Sequence, residues 1–152
     1  MRALFPLVLA GVLYTGGVVA LGECLCGVPR SPQAALAQAD AVFTGQVVSI
    51  QEVALAQADR TNRWVRMKVT ISVSKIWKGS LPARVEVYTG LSTNECAYPF
   101  VRGSNYLIYA DRIVEEGVRN AKLSTTTCDR TRESGKAGED LRALGASHPP
   151  RT

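Results

Sequence analysis

The sequence contains one histidine, His148, and it sits in a proline-rich tail. With so little imidazole, no Ser-His-Asp or Cys-His set can be assembled. A glycine-rich phosphate loop is also missing, since Gly16-Gly17 falls in the apolar N-terminus. The acidic pairs are Glu115-Glu116 and Glu139-Asp140. Adjacent side chains face apart on a strand or helix, so neither pair forms an acid/base couple, and each is read as solvated surface. No enzyme chemistry and no cofactor are expected. No block of like charge occurs either. The 18 basic and 13 acidic residues are mixed along the chain, which does not mark a nucleic-acid binder.

What the chain does have begins at its N-terminus. Met1-Arg2 is a short positive segment, and Ala3 to Ala20 carries no charge. Ala20-Leu21-Gly22 is a small-x-small pattern, so a signal peptide over 1–22 with cleavage after Gly22 is expected. Pro6, Gly11, Gly16 and Gly17 make the run a poor membrane span, although an uncleaved anchor is the alternative. A lipoprotein signal wants a small residue directly before the acylated cysteine, and Glu23 stands there. Cleavage removes Arg2 and no acid, leaving 17 basic against 13 acidic residues, a net charge of +4. The product is extracytoplasmic: periplasmic, cell-surface or extracellular.

All four cysteines lie beyond that run: Cys24, Cys26, Cys96 and Cys128. An even number in an oxidising compartment predicts two disulfides. A Cys24–Cys26 bridge would close a very tight ring, so each N-terminal cysteine is expected to reach one distant cysteine. A four-thiolate zinc site usually spaces its paired cysteines C-x2–4-C, which neither pair here does.

The remaining pattern is mainly β. Ser31 caps a short helix through Pro32 and QAALAQAD. Ala41–Ile50 reads as a strand, with Gly45 marking a bulge or barrel bend. Residues 51–62 read as a loop. Trp64–Trp77 alternates, with Val65, Met67, Val69, Ile71 and Val73 on one face, and is long enough to curve strongly. Trp64, Trp77 and Tyr88 are taken as core aromatics beside a solvated basic face. Lys78–Pro82 is a turn. Ala83–Thr89, Asn105–Ala110 and Arg119–Thr126 are further strands. Residues 133–145 form a terminal helix weakened by Gly135 and Gly138, and the tail beyond is loose. ALAQAD occurs twice, at 35–40 and 54–59, and two copies are too few for a repeat architecture. The expected fold is a five-stranded Greek-key barrel of the OB type over 23–132, with one or two short helices and two disulfides. The C-terminal helix and tail occupy 133–152.

Residues i and i+2 of an extended segment share a face. Cys24 and Cys26 would then both point into the barrel and Leu25 outward, on a rigid ridge closed by Val28-Pro29. A pre-organised apolar side chain of this kind suits a pocket-filling anchor. A plainer reading is that the cysteines fasten a terminus and Leu25 packs against its neighbours.

Several blocks, in this order, resemble the N-terminal domain of tissue inhibitors of metalloproteinases. They are Cys-x-Cys, a following proline, the Ala-rich helix and AVFTGQV. Then come V-x-K-I-W-K-G at 73–79, Glu95-Cys96-Ala97-Tyr98, NYLIYA at 105–110, and Cys128 before a charged segment. The resemblance covers Cys24 to Arg130 and implies a netrin-like OB barrel with disulfides Cys24–Cys96 and Cys26–Cys128. It also implies an inhibitory wedge of Cys24, Leu25, Cys26, Gly27 and Val28, flanked by Asn94, Glu95 and Cys96. In the family, the α-amino group and carbonyl of the first cysteine chelate the catalytic zinc of the target protease, and the next side chain, here Leu25, enters its specificity pocket. The chain would hold no metal of its own, and its partner would be a zinc metalloprotease, not nucleic acid. It departs from the family's animal members in lacking the cysteines of a third N-domain disulfide and of a C-terminal cysteine-rich domain. Cleavage after Gly22 would also leave Glu23 in front of Cys24. The alternative is then a non-inhibitory extracytoplasmic OB-fold binding module, membrane-bound only if the signal stays uncleaved.

Overall fold

Helix α1, Pro32–Gln38, begins where Ser31 stands in extended conformation and its hydroxyl accepts a hydrogen bond from the Ala34 amide at 3.2 Å. Pro32 takes the first helical position, where its missing N–H costs nothing. At the other end, Lys78 Nζ donates to the carbonyls of Leu36 (2.9 Å) and Ala37 (2.8 Å). A cation on the last free carbonyls suits the helix dipole and pins α1 to the barrel. The computed structural model describes residues 24–55, 64–92, 96–113 and 122–152. The expected signal segment 1–22, Glu23, Asn94, Glu95 and Glu115-Glu116 lie outside the described residues.

The strands are β1 (Ala41–Leu55), β2 (Trp64–Lys78), β3 (Arg84–Thr89), β4 (Asn105–Ile113), β5 (Lys122–Ser124) and β6 (Arg132–Glu133). The first five close a ring in the order β1-β2-β3-β5-β4, with β4 returning to pair with β1. Among the pairings of the described strands, only β3–β5 is parallel. This is the expected five-stranded OB-type barrel, with β6 added beside Tyr106 and Leu107 of β4.

Closure needs strong curvature, and β1 and β2 supply it. Their register shifts at Val42/Phe43, Thr44/Gly45 and Val47/Ser49. One extra residue per shift bends the strand and raises its twist. At the middle shift Thr44 opposes Lys75 and Gly45 opposes Val73, so Ser74 is extra; its hydroxyl turns back onto the Thr44 carbonyl at 3.1 Å. A Cβ on Gly45 would lie 2.5 Å from both Ile71 Cγ2 and the Ser72 carbonyl oxygen, so only glycine lets the strands approach this closely. The bulge also breaks the alternation of β2: Val69, Ile71 and Val73 are buried, and then Ile76. Strict period two fails there because the ladder has slipped by one residue.

The interior is filled by Phe43, Val47, Val69, Ile71, Ile76, Val87, Tyr106 and Ile108, among others. A second apolar layer lies outside the barrel wall, where Val42, Leu107 and Tyr109 meet Ala35, Ala39, Ala137 and Leu144. Strand β4 is thus covered on both faces, which explains its unbroken apolar run. Trp77 packs on this outer layer and donates its indole N–H to the Gly145 carbonyl at 3.0 Å. Tyr88 is buried in the wall.

Three expectations are corrected. Residues 51–55 are strand, not loop, because β2 continues to pair with them up to Leu55↔Trp64. The terminal helix is split into a 3-10 turn, Ser134–Lys136, and α2, Gly138–Ala143. The tail is not loose. Ile76 and His148 exchange both backbone hydrogen bonds at 2.9 Å, and the Arg151 amide donates to the Leu81 carbonyl at 2.8 Å.

Candidate functional site

Residues 24–30 cross one end of the barrel without regular secondary structure. An exposed backbone of this kind has no burial to hold it. It is held by covalent bonds: Cys24 to Cys96 and Cys26 to Cys128, with Cα separations of 5.1 and 5.0 Å. Both cysteines turn to the barrel side, as alternation along an extended segment requires. Leu25 between them is 96% exposed and Val28 is 91% exposed. The plainer reading, in which Leu25 packs against its neighbours, is therefore not what the fold builds.

The two receiving loops are stitched to each other. Ala97 and Thr126 form an antiparallel bridge, and the Thr127 amide donates to the Cys96 carbonyl at 2.9 Å. Cys96 has φ +57°, a left-handed conformation that side-chain-bearing residues rarely adopt. Asp129 closes the turn that carries Cys128, accepting from the Thr126 amide (2.7 Å) and hydroxyl (2.9 Å). Cys24, Leu25, Cys26, Gly27, Val28 and Cys96 thus gather at one end of the molecule. Asn94 and Glu95 fall outside the described residues.

The site has a support that the sequence reading missed. Arg130 donates one guanidinium N–H to the Arg30 carbonyl, where the ridge rejoins the body. Its Nε and Nη2 grip Asp140 at 2.7 and 2.9 Å, and Tyr109 Oη donates to the same carboxylate at 2.8 Å. Asp140 is fully buried, so reading Glu139-Asp140 as solvated surface is corrected for Asp140; Glu139 does remain exposed. Residue type alone could not show this. Asp140 faces inward only because α2 packs on the outer layer beside Tyr109. Burial is the strongest single influence on Asp140 and opposes its charge. Hydrogen bonds from Arg130 and Tyr109, and the charges of Arg130 and Arg132, together outweigh it and lower the pKa. Burial, then the bond to Asp140, raises the pKa of Tyr109.

No thiol is free for a metal. The Sγ atoms of Cys24, Cys96 and Cys128 lie within 4.8 Å of one another, but all four cysteines are in disulfides. Chemically, the arrangement offers a stapled, exposed main chain with two apolar side chains, Leu25 and Val28, projecting from it.

The family model described as tissue inhibitor of metalloproteinase matches residues 22–136, from just before the ridge through the 3-10 turn. No curated protein matches the chain.

Proposed function

The chain belongs to the tissue inhibitor of metalloproteinase family, and from that membership we propose that it is an extracytoplasmic inhibitor of zinc metalloproteases, with residues 24–28 as the wedge. The observation that carries the proposal is Leu25: nearly full exposure on a backbone stapled on both sides. A rigid ridge loses little conformational freedom on docking, so the burial of Leu25 in a pocket is not offset by ordering. Asn94, Glu95 and Cys96 would flank it.

Chelation of the protease zinc depends on processing. If the chain starts at Cys24, its neutral α-amine and carbonyl can replace the water in the open position of a catalytic zinc. If Glu23 remains, the nitrogen of Cys24 is a peptide nitrogen, which is not a basic ligand, and a carboxylate projects beside it. Glu23 favours the second reading for that form, an OB-fold binding module that does not inhibit. The members of this family are inhibitors rather than enzymes, consistent with the lack of a histidine-based catalytic set.

The test is mass spectrometry of the secreted, unreduced protein to define its N-terminus, then inhibition assays on forms beginning at Cys24 and at Glu23. The Cys24 form is expected to inhibit a metalloprotease catalytic domain and the Glu23 form not to. Leu25→Gly in the Cys24 form should weaken inhibition by roughly 10- to 100-fold, equivalent to about 1.5–3 kcal/mol for withdrawing a buried leucine side chain. Equal inhibition by both forms would remove the amine from the mechanism.

A further inference from the structure

The two disulfides under the ridge lie side by side. Cys24 Sγ is 3.4 Å from Cys128 Sγ, although the two atoms belong to different bridges. The Cys26–Cys128 bridge joins two exposed residues. It also faces a cavity of about 180 Å³ between the ridge and residues 127–132. Arg30, Arg130 and Arg132 are among its lining residues with Cys26 and Cys128, and Asp129 is the one acidic residue among them; Glu139, outside the lining, pairs with Arg130 at 3.2 Å. Arg130 is held by Asp140, and Arg132 Nη1 lies 3.8 Å from the same carboxylate and is partly exposed. Thiolate, not thiol, attacks disulfides, and access to the sulfur governs the rate. A cavity rich in arginine and floored by a disulfide favours an anionic thiol in its reactive form.

We propose that this cavity admits a small carboxylate-bearing thiol, of the cysteine or glutathione class, and that its attack rearranges the two native disulfides into a Cys24–Cys128 bridge. The incoming thiolate bonds to Cys26 Sγ; the Cys26–Cys128 bond breaks, and its electron pair leaves on Cys128 Sγ. Freed from Cys26, the Cys128 thiolate turns about its own side-chain bonds into line with the Cys24–Cys96 bond and attacks Cys24 Sγ, 3.4 Å away in the native fold. The Cys24–Cys128 bond forms, the Cys24–Cys96 bond breaks, and Cys96 leaves as a thiolate that takes up the proton lost by the incoming thiol. Two disulfides and one thiol enter, and two disulfides and one thiol result, so no oxidant or reductant is needed. The ridge loses its tie to the Cys96 loop and gains an adduct on Cys26. That this disarms the molecule rests on the inhibitory reading above; the exchange itself does not.

The full secreted protein, unreduced, is incubated with glutathione, quenched with acid, alkylated and mapped by mass spectrometry of non-reduced peptides. The expected product carries glutathione on Cys26, a Cys24–Cys128 linkage and an alkylated Cys96. Glutathione on Cys26 with Cys24–Cys96 intact, or a Cys96–Cys128 linkage, would overturn the exchange. Arg132→Gln should slow adduct formation by glutathione several-fold and leave the rate with uncharged 2-mercaptoethanol unchanged. Equal slowing of both thiols, or of neither, would overturn the anion-selective cavity. The map needs no protease. If an exchanged sample inhibits as well as the native one, the inhibitory reading of the ridge fails and the exchange stands.

Discussion

The ridge at 24–28 and the C-terminal segment from Arg130 onward lie against the same barrel and are held there by different physics. The ridge keeps Leu25 and Val28 in water and is fixed by two covalent bridges. The C-terminal segment has no cysteine beyond Cys128. It buries Ala137, Asp140 and Leu144, seats a carboxylate between Arg130 and Tyr109, and adds backbone bridges at His148 and Arg151. A segment with apolar surface to bury can be held by packing and a satisfied ion pair. A segment that must present its side chains outward has no such resource, and bonds replace burial.

The sharpest way to break this contrast is to remove the covalent anchor. The paired substitution Cys26→Ser and Cys128→Ser opens a loop whose ends are 102 residues apart. Because the remaining Cys24–Cys96 bridge shortens the path between the two positions to about 34 residues, the chain-entropy relation puts the loss at about 4 kcal/mol, within the range of measured disulfide removals. Urea denaturation under non-reducing conditions measures it. A loss under about 1 kcal/mol would mean that the ridge is held by contacts other than its bridge.

The non-covalent anchor is tested by Asp140→Ala, expected to cost about 3–5 kcal/mol because Arg130 and Tyr109 lose their buried partner. It also has a pH signature. The lowered pKa of Asp140 means that its stabilisation is present above the unfolded carboxylate value of about 3.9 and is lost as pH falls through the folded value. Melting scans through the acid range should show stability falling with pH, and Asp140→Asn should flatten that part of the slope. The bridges, which do not titrate, add nothing to it.

Gly45→Ala probes the barrel that both segments share. Its added Cβ meets backbone at 2.5 Å, and overpacking of this kind costs about 1–3 kcal/mol. Thermal unfolding should register a loss with both anchors chemically intact. The smallest stability effect belongs to Leu25→Gly, within about 0.5 kcal/mol, since the side chain touches almost nothing in the free protein. A large change would show that Leu25 is structural.

The repeated string ALAQAD shows where local reading stops. Ala35-Leu36 lies in α1, and Ala54-Leu55 lies at the end of β1. The same residues take opposite conformations because one copy follows the Ser31-Pro32 cap and the other has β2 beside it to complete a ladder. Residues 51–55 were unreadable as strand for that reason: the partner comes from Trp64–Lys68, across residues that carry no local strand signal.

By itself the sequence determined the mainly β class, the Ser31-Pro32 helix start, the bend at Gly45 and the presence of two bridges. Each follows from short-range rules: capping, period two, a missing Cβ, an even cysteine count. The family resemblance implied the pairing of the cysteines, and the fold forms it; tertiary structure alone decided that Leu25 stands free of its neighbours, how closely the two bridges lie, the seating of the tail on Ile76 and Leu81, and the burial of Asp140. Those depend on contacts between residues far apart in the chain, and no local pattern encodes a distance that only barrel closure creates.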